Sequence, residues 1–579
     1  MNTGRVLSWT ALVLAIAICL ASAYAAYTLA GYSWDQVVSY STPFGDYERP
    51  WVGVKPETFS AEESSTPRVV LVIVDGLQLE ASRNMSSLNT LRQYGADMVA
   101  IAPQPSLSFP TWTNILSGAP PQFSGVTTNW FEGAVPVETL IDVALAGGRT
   151  VVVSAPDDFE TLYEASRAQA TYFKPWGDGD YMTSGFIDQA IAMTERVNPQ
   201  FVVVHLPDAD EAAHDSGADS KAYADVVANI DRDIAKLVEA LQDERTTYVI
   251  CADHGHIPSG GHGGWERDVT RTPAVFVGSR MLTERGEMSQ SDIAPTIAAI
   301  LDLPIPRHSA GRVRDDLLAD SDAEVLRGEQ QFRVLAERYA TVIGGKPPSV
   351  GGVKSYDALQ LAMDDASSAR LSQDRQGRLP VSLAILAAAL LVVAGIGISS
   401  WRALIASLAG AVAYFGIYNG LYFLVHGYEW SLSAFNTETF VEAFFNIRMA
   451  EAALSILIAA GVSAYVYPLM RRRPKGPKEG FLGGWLALGP ATALCVLATL
   501  AVQVAWFLWA WGADVTWRLP DLRWGFKYDL DLIQATAVGA VALLAPLVTY
   551  LVGRYHPKVR STESAGSASR ADSPGGLIR

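Results

Sequence analysis

The sequence predicts an α/β domain built on a mainly parallel sheet, joined to a bundle of membrane-spanning helices. Three observations carry this expectation. Short apolar runs alternate with helical patterns through the middle of the chain. Apolar stretches of about 20 residues, enough to cross a hydrocarbon core, occur only towards its two ends. Residues able to do chemistry follow directly after the short apolar runs, where a parallel sheet places its site.

Residues 6–30 form an apolar run behind Arg5. The run exceeds the roughly 7–15 residues of a signal-peptide core, so it reads as an anchor, although Ala21, Ser22 and Ala23 leave a cleavage site open. Residues 36–66 are expected to link this anchor to the α/β domain at 67–345. Within the domain, the runs 69–74, 150–154, 201–205, 247–252 and 274–277 read as buried strands. Residues 222–241 have helical spacing, with Val226, Val227, Ile230, Ile234, Leu237, Val238 and Leu241 on one side. Residues 346–379 read as a connector with some helix. Five spans, 381–399, 404–425, 449–469, 481–511 and 532–552, fill the bundle at 380–555. Residues 556–579, rich in Ser, Ala and Gly, are expected to form a disordered tail.

Charge orients this layout. The basic cluster Arg471, Arg472, Arg473, Lys475 and Lys478 marks a cytoplasmic loop. Counting outward from it also places Arg5, Arg402, Arg554, Lys558 and Arg560 inside, and the α/β domain outside. Trp430, Trp517 and Trp524 then fall in outer loops, as interfacial aromatics do. The expected location is the plasma membrane. Before residue 380 there are 29 Lys+Arg against 49 Asp+Glu, and after it 15 against 11. An outer domain this acidic repels nucleic acid, which is excluded as a partner. Cys19, Cys251 and Cys495 sit in apolar runs and imply no disulfide framework.

The chemistry lies in four segments. The first strand runs into Asp75-Gly76, a carboxylate at the sheet edge beside a residue that permits close backbone approach. The segment PSLSFPTWTN places Ser108 at the start of a helical stretch, where it is either a cap or faces a phosphate. After the strand at 201–205, Asp210 and His214 are four residues apart, on one face of a helical turn. CADHGHIPSGGHGG then brings Asp253, His254 and His262 out of another strand, a dense use of only eight histidines.

In this order the segments resemble the alkaline phosphatase superfamily, most closely its type I phosphodiesterase and nucleotide pyrophosphatase branch. The opening VIVDG, the DEAAH element, DHGH followed by GGHGG and the closing QSDIAPTIAAILDLPIP all take part, over about half the chain. The resemblance implies an alkaline-phosphatase-like sheet flanked by helices. It also implies two divalent ions, zinc above all, with manganese also suited to the ligand types. One ion would be held by Asp75, Asp253, His254 and the Ser108 oxygen, the other by Asp210, His214 and His262. Ser108 would be the catalytic nucleophile, and loss of no ligand marks the scaffold as inactive.

The chain departs from that branch at several positions. Ser108 stands where Thr is usual, and Thr111 where an Asn usually contacts a phosphate oxygen, so Thr111 and Asn129 are the substrate-binding candidates. Asn114 is either such a contact or a capping or surface residue. Asp210 is preferred to Asp208 on its spacing from His214. His256 stands where relatives often have Met, and it reads as structural in preference to a metal ligand. SFPTW lacks the arginine of sulfatases, which disfavours sulfate esters. The membrane layout is similar to that of ethanolamine-phosphate transferases acting on glycolipid anchors. This suggests a phosphoester substrate that is lipid-linked or membrane-proximal, membrane lipids as partners, and phospho-headgroup transfer as the alternative to hydrolysis, while the bundle reads equally as a simple anchor.

Overall fold

The computed structural model describes residues 3–45, 47–48, 67–175, 183–319, 321–344, 355–434, 441–470 and 482–557. The basic cluster at 471–478, the Arg5 side chain, Lys558, Arg560, most of the linker and the tail lie outside the described residues.

Eight strands form one sheet: β1 (Arg68–Val74), β2 (Ala96–Ile101), β3 (Val151–Pro156), β4 (Ala170–Lys174), β5 (Phe201–Leu206), β6 (Thr246–Ala252), β7 (Arg271–Val277) and β8 (Arg285–Ser289). Their order is β4-β3-β5-β1-β6-β7-β2-β8, and only β7 runs antiparallel to its neighbours. The five strands read from sequence are all present. The other three, β2, β4 and β8, lie towards the ends of the sheet. There burial is incomplete and the apolar signal fades, as in the largely exposed RGEMS of β8.

β1 shows why the sheet is covered on both faces. Val69, Leu71 and Ile73 enter one apolar core and Val70, Val72 and Val74 the other, all at 0% exposure. Each such side chain contributes roughly 1.5–3 kcal/mol relative to exposure, so the central strand is a rigid base for whatever follows its C-terminal end.

Among the described residues, five helices are long and apolar enough to cross a membrane: Trp9–Val38, Tyr356–Ser399, Trp401–Val425, Val441–Leu469 and Gly484–Ala510. They make the chain an integral membrane protein. A sixth span requires Leu522–Val541 and Ala545–Tyr555 to act together, and these meet at a 63° bend. The single span expected at 532–552 is therefore broken. Pro546 lies in the first turn of the second helix, where it supplies no N–H to continue the first. The connector is also more regular than expected, because Tyr356–Ser399 is one 44-residue helix. Leu359 and Met363 near its start belong to the domain core, so the helix joins domain to bundle.

Candidate metal centre

The register of the three central strands assembles the site. Val74 of β1 pairs with both Leu206 of β5 and Ala252 of β6, so the residues that follow all emerge at one edge. Asp75 leaves β1 and Asp253 and His254 leave β6, each at 0% exposure. Asp75 Oδ1 and Asp253 Oδ2 both lie 3.3 Å from His254 Nε2. Asp253 is fixed by hydrogen bonds from Gly76 N (3.0 Å), its neighbour His254 N (2.7 Å) and Trp112 Nε1 (2.9 Å).

Trp112 belongs to the helix Ser108–Ser117, which is buried almost all round. Ser108 is its first residue but not its cap: Leu107 holds that position, and no side chain caps the helix. The Ser108 hydroxyl instead lies 3.4 Å from His254 Nε2. Thr111 lies inside the helix at 0% exposure and donates its hydroxyl to Leu107 O at 2.6 Å. Asn129 accepts from Phe109 N at 3.0 Å, which puts its amide beside the start of this helix. Asn114 is fully buried rather than capping or at the surface. It donates to Gln290 Oε1 and accepts from Ser291 Oγ, while Gln290 Nε2 donates to Asp253 O at 2.6 Å. The closing QSD segment thus braces the end of β6.

The other side of the cluster comes from the helix Asp208–Ser216 and the glycine-rich loop after β6. His214 Nε2 is 3.4 Å from Asp210 Oδ2 and 3.2 Å from His262 Nε2. Asp208 belongs to none of the possible ligand groups among the described residues. His256 Nε2 is 2.9 Å from Asp210 Oδ1, so the cluster includes a histidine whose structural reading was preferred from the sequence. Gly76, at φ +68°, makes room for it: a Cβ there would lie 2.5 Å from His256 Nε2 and 2.8 Å from Asp210 Cα.

His205 was not singled out from the sequence as a site residue. It is the penultimate residue of β5, with Nε2 3.2 Å from Asp75 Oδ2 and its ring against Trp112 and Phe159. Burial pushes its pKa down to about 3, which keeps the imidazole neutral. A lone histidine inside the apolar run FVVVHL was the available signal.

These positions fit divalent cations. Asp75, Asp253 and His254 form one group whose ligand atoms lie within 4.8 Å of one another, Asp210, His214 and His262 another, and Asp210, His254 and His256 a third that shares residues with both. Both Asp75 oxygens, Asp210 Oδ1 and His256 Nε2 are buried without a hydrogen-bond partner, a cost that a bound cation removes. Burial, together with Asp253 and Asp210, holds the Asp75 carboxyl well above the usual carboxylate range. Burial also raises Asp210, but His214, His256 and His262 outweigh it and hold that carboxyl well below the range. Burial keeps His254 and His262 below the ordinary histidine value, leaving neutral imidazoles suited to ligation.

The bundle meets this loop directly. Gly264 N donates to Ser433 Oγ at 3.0 Å, Ser433 Oγ donates to Glu266 Oε2 at 2.8 Å, and Trp265 Nε1 donates to Trp430 O at 3.0 Å. The Arg523 guanidinium lies 4.4 Å from the Trp265 ring centre. On the Ser108 side, Thr127 donates to Val37 O at 2.7 Å, and Trp34 packs on Trp130 at 5.6 Å.

Comparison with known proteins agrees with the motif reading. Residues 69–269 match the type I phosphodiesterase / nucleotide pyrophosphatase family. Human GPI ethanolamine phosphate transferase 2, catalytic subunit, is 25% identical over 286 residues, covering 45% of this chain and 28% of that one. Mouse GPI ethanolamine phosphate transferase 3, catalytic subunit, is 24% identical over 308 residues, covering 48% and 27%. The match thus spans less than a third of either relative. Among solved structures, alkaline phosphatase PafA superposes with a TM-score of 0.37 at 11% identity, covering 44% of this chain and 99% of that one. Human ectonucleotide pyrophosphatase / phosphodiesterase 5 gives a TM-score of 0.36 at 11% identity, covering 41% and 95%. The segment from 69 to 269 carries the sequence pattern of the type I phosphodiesterase / nucleotide pyrophosphatase family, and its curated relatives include GPI ethanolamine phosphate transferases.

Proposed function

We propose that this chain is a metal-dependent phosphoester-cleaving enzyme with Ser108 as nucleophile and its site on the extracytoplasmic side of the plasma membrane. The observation that carries the reading is the convergence of Ser108 with two groups of carboxylates and imidazoles at one sheet edge. Asp75, Asp253, His254 and Ser108 would hold one ion and Asp210, His214 and His262 the other, with zinc favoured by the mixed ligand set. When bound, such a pair favours the serine alkoxide and stabilises the charge that develops on the leaving oxygen.

The chain's own residues do the rest. The buried helix Ser108–Ser117 holds Ser108 against His254, and Trp112 locks that helix to Asp253. Asn129, oriented by its bond from Phe109 N, presents its amide N–H to a phosphate oxygen, and Thr111 keeps the helix turn closed beneath it. Attack of Ser108 on phosphorus gives a phosphoseryl or phosphodiester intermediate and expels the first alcohol. Water, or an acceptor hydroxyl, then releases the group from Ser108.

The second outcome, transfer to a lipid-linked acceptor, is favoured by the docking of the ligand loop on the bundle. Contact at Gly264, Trp265 and Trp130 keeps the site close to the spans, where a membrane-held acceptor is within reach. The names of the curated relatives favour the same outcome. The testing experiment is cleavage of a chromogenic phosphodiester by detergent-purified protein, with and without lipid acceptors. Activity should disappear on chelation and in Ser108→Ala, and full activity in either case contradicts the proposal. For the orientation, a cysteine introduced at the exposed Asp219 should react with an impermeant reagent in intact cells, whereas one at Gly476 should not.

A further inference from the structure

We infer that His256 is a protein ligand of the ion held by Asp210, making that site one carboxylate and three imidazoles. The inference rests on the two-ion reading above.

Three observations support it. First, His256 is wired as the two neighbouring ligand histidines are. The Nδ1 atoms of His254, His262 and His256 face the backbone carbonyls of Gly255 (3.2 Å), Ser106 (3.1 Å) and Gly260 (2.7 Å), and each Nε2 points into the cluster. This arrangement fixes a metal-ligating imidazole, because the carbonyl takes the Nδ1 hydrogen and leaves the Nε2 lone pair for the ion. Second, that lone pair faces another acceptor. His256 Nε2 lies 2.9 Å from Asp210 Oδ1, both atoms are buried, and neither has a hydrogen-bond partner. Two lone-pair atoms at this separation repel unless a metal ion sits against both or a proton lies on Nε2, and the titration below separates the two. Ligand atoms around a tetrahedral zinc, at bond lengths of about 2.0–2.1 Å, stand roughly 3.3 Å apart, close to what is seen here. Third, the backbone makes room for the ring: Gly76 is the residue whose Cβ would collide with His256 Nε2.

An alternative is that His256 only props the loop through its Gly260 bond. His256→Asn separates the two roles, because the asparagine amide occupies the Nδ1 position and keeps a donor for Gly260 O while removing the Nε2 atom. The experiment titrates Co²⁺ into the metal-free full-length protein and into this variant, following the visible absorption of the bound ion and competing it with a chelator. Wild type should bind two ions. His256→Asn should bind one as wild type does and the other at least about tenfold more weakly, with a changed cobalt spectrum. His256→Gln, whose side-chain amide reaches the Nε2 position, should recover part of that affinity. A variant that melts like wild type when metal-free, and binds both ions with unchanged affinity and spectrum, overturns the ligand assignment alone. A wild-type protein that binds no ion at this cluster overturns the two-ion reading beneath it.

Discussion

The two halves of the ligand cluster are held in different ways. Asp75, Asp253 and His254 grow from the ends of adjacent parallel strands, are fully buried, and are fixed by Gly76, Trp112 and Gln290 from within the domain. Asp210, His214 and His262 come from one turn of helix and a glycine-rich loop, and the His214 side chain remains 16% exposed. Their loop is braced from outside the domain, through Ser433 and Trp430 of the bundle. The charge balance differs as well. Asp75 is crowded by other carboxylates, whereas Asp210 is surrounded by imidazoles. The strand-borne half is therefore a seat set by the fold, and the loop-borne half is in contact with the membrane bundle.

The sharpest contrast should come from removing one ligand of each half. Asp253→Ala removes a ligand and the acceptor for Trp112, Gly76 and His254 together, so ion binding and thermal stability should both fall. Its kcat/KM should drop at least about a thousandfold, the scale expected when groups acting as a unit are broken. His262→Ala should leave the fold intact and weaken one ion by about 10- to 100-fold or more, with activity partly restored by excess zinc. Equal loss of both ions in His262→Ala would show that the cluster is not divided in this way.

A smaller effect is expected at the bundle contact. A Cβ at Gly264 would lie 1.8 Å from Ser431 Oγ and 2.6 Å from Ser433 Oγ, so Gly264→Ala must displace the hydroxyls that seat the loop on the bundle, at a cost of about 1–3 kcal/mol. The His262-held ion should weaken several-fold while the Asp75-held ion is unchanged, as read by chelator competition. An unchanged His262-held ion would mean that the bundle only anchors the domain.

The smallest effect is on pH dependence. The Asp75 carboxyl is raised above its unfolded value, chiefly by burial, so in the metal-free protein its contribution to stability is full at acid pH and is lost as pH rises through the raised folded value. Binding a cation requires the carboxylate, so ion affinity at this half should climb as pH rises over the same window. His262 works the other way for stability: its folded value is depressed by burial, and its contribution is present above the ordinary histidine value and lost as pH falls through the folded one. Thermal melts of chelated and metal-loaded protein across pH 4–8 should therefore diverge as pH rises.

Much of this was legible in the sequence because the central strands and their exits are close in the chain. VIVDG and CADHGH state both the strand and the residue that leaves it, and the DEAAH spacing fixes a helical pair. Edge strands β4 and β8 were not legible, since half-exposed pairing leaves no apolar run. His205 was hidden, and His256 left between two readings, for another reason: their roles depend on which side chain lies opposite across the site, Asp75 and Asp210, and these come from other segments. The bend before Pro546 needed only a proline rule, but the apolar residues on both sides masked it. The bracing of the loop by Ser433 and Trp430, about 170 residues away in sequence, carries no local signal at all.

The most direct test of the central claim is to quench metal-loaded protein in acid during turnover of a chromogenic phosphodiester and to map the covalent adduct by peptide mass spectrometry. The account predicts a phosphoryl-type adduct on Ser108, absent after chelation and absent in Ser108→Ala, which should be folded and inactive. A folded Ser108→Ala protein that turns over substrate at the wild-type rate, or an adduct on another residue, would contradict it.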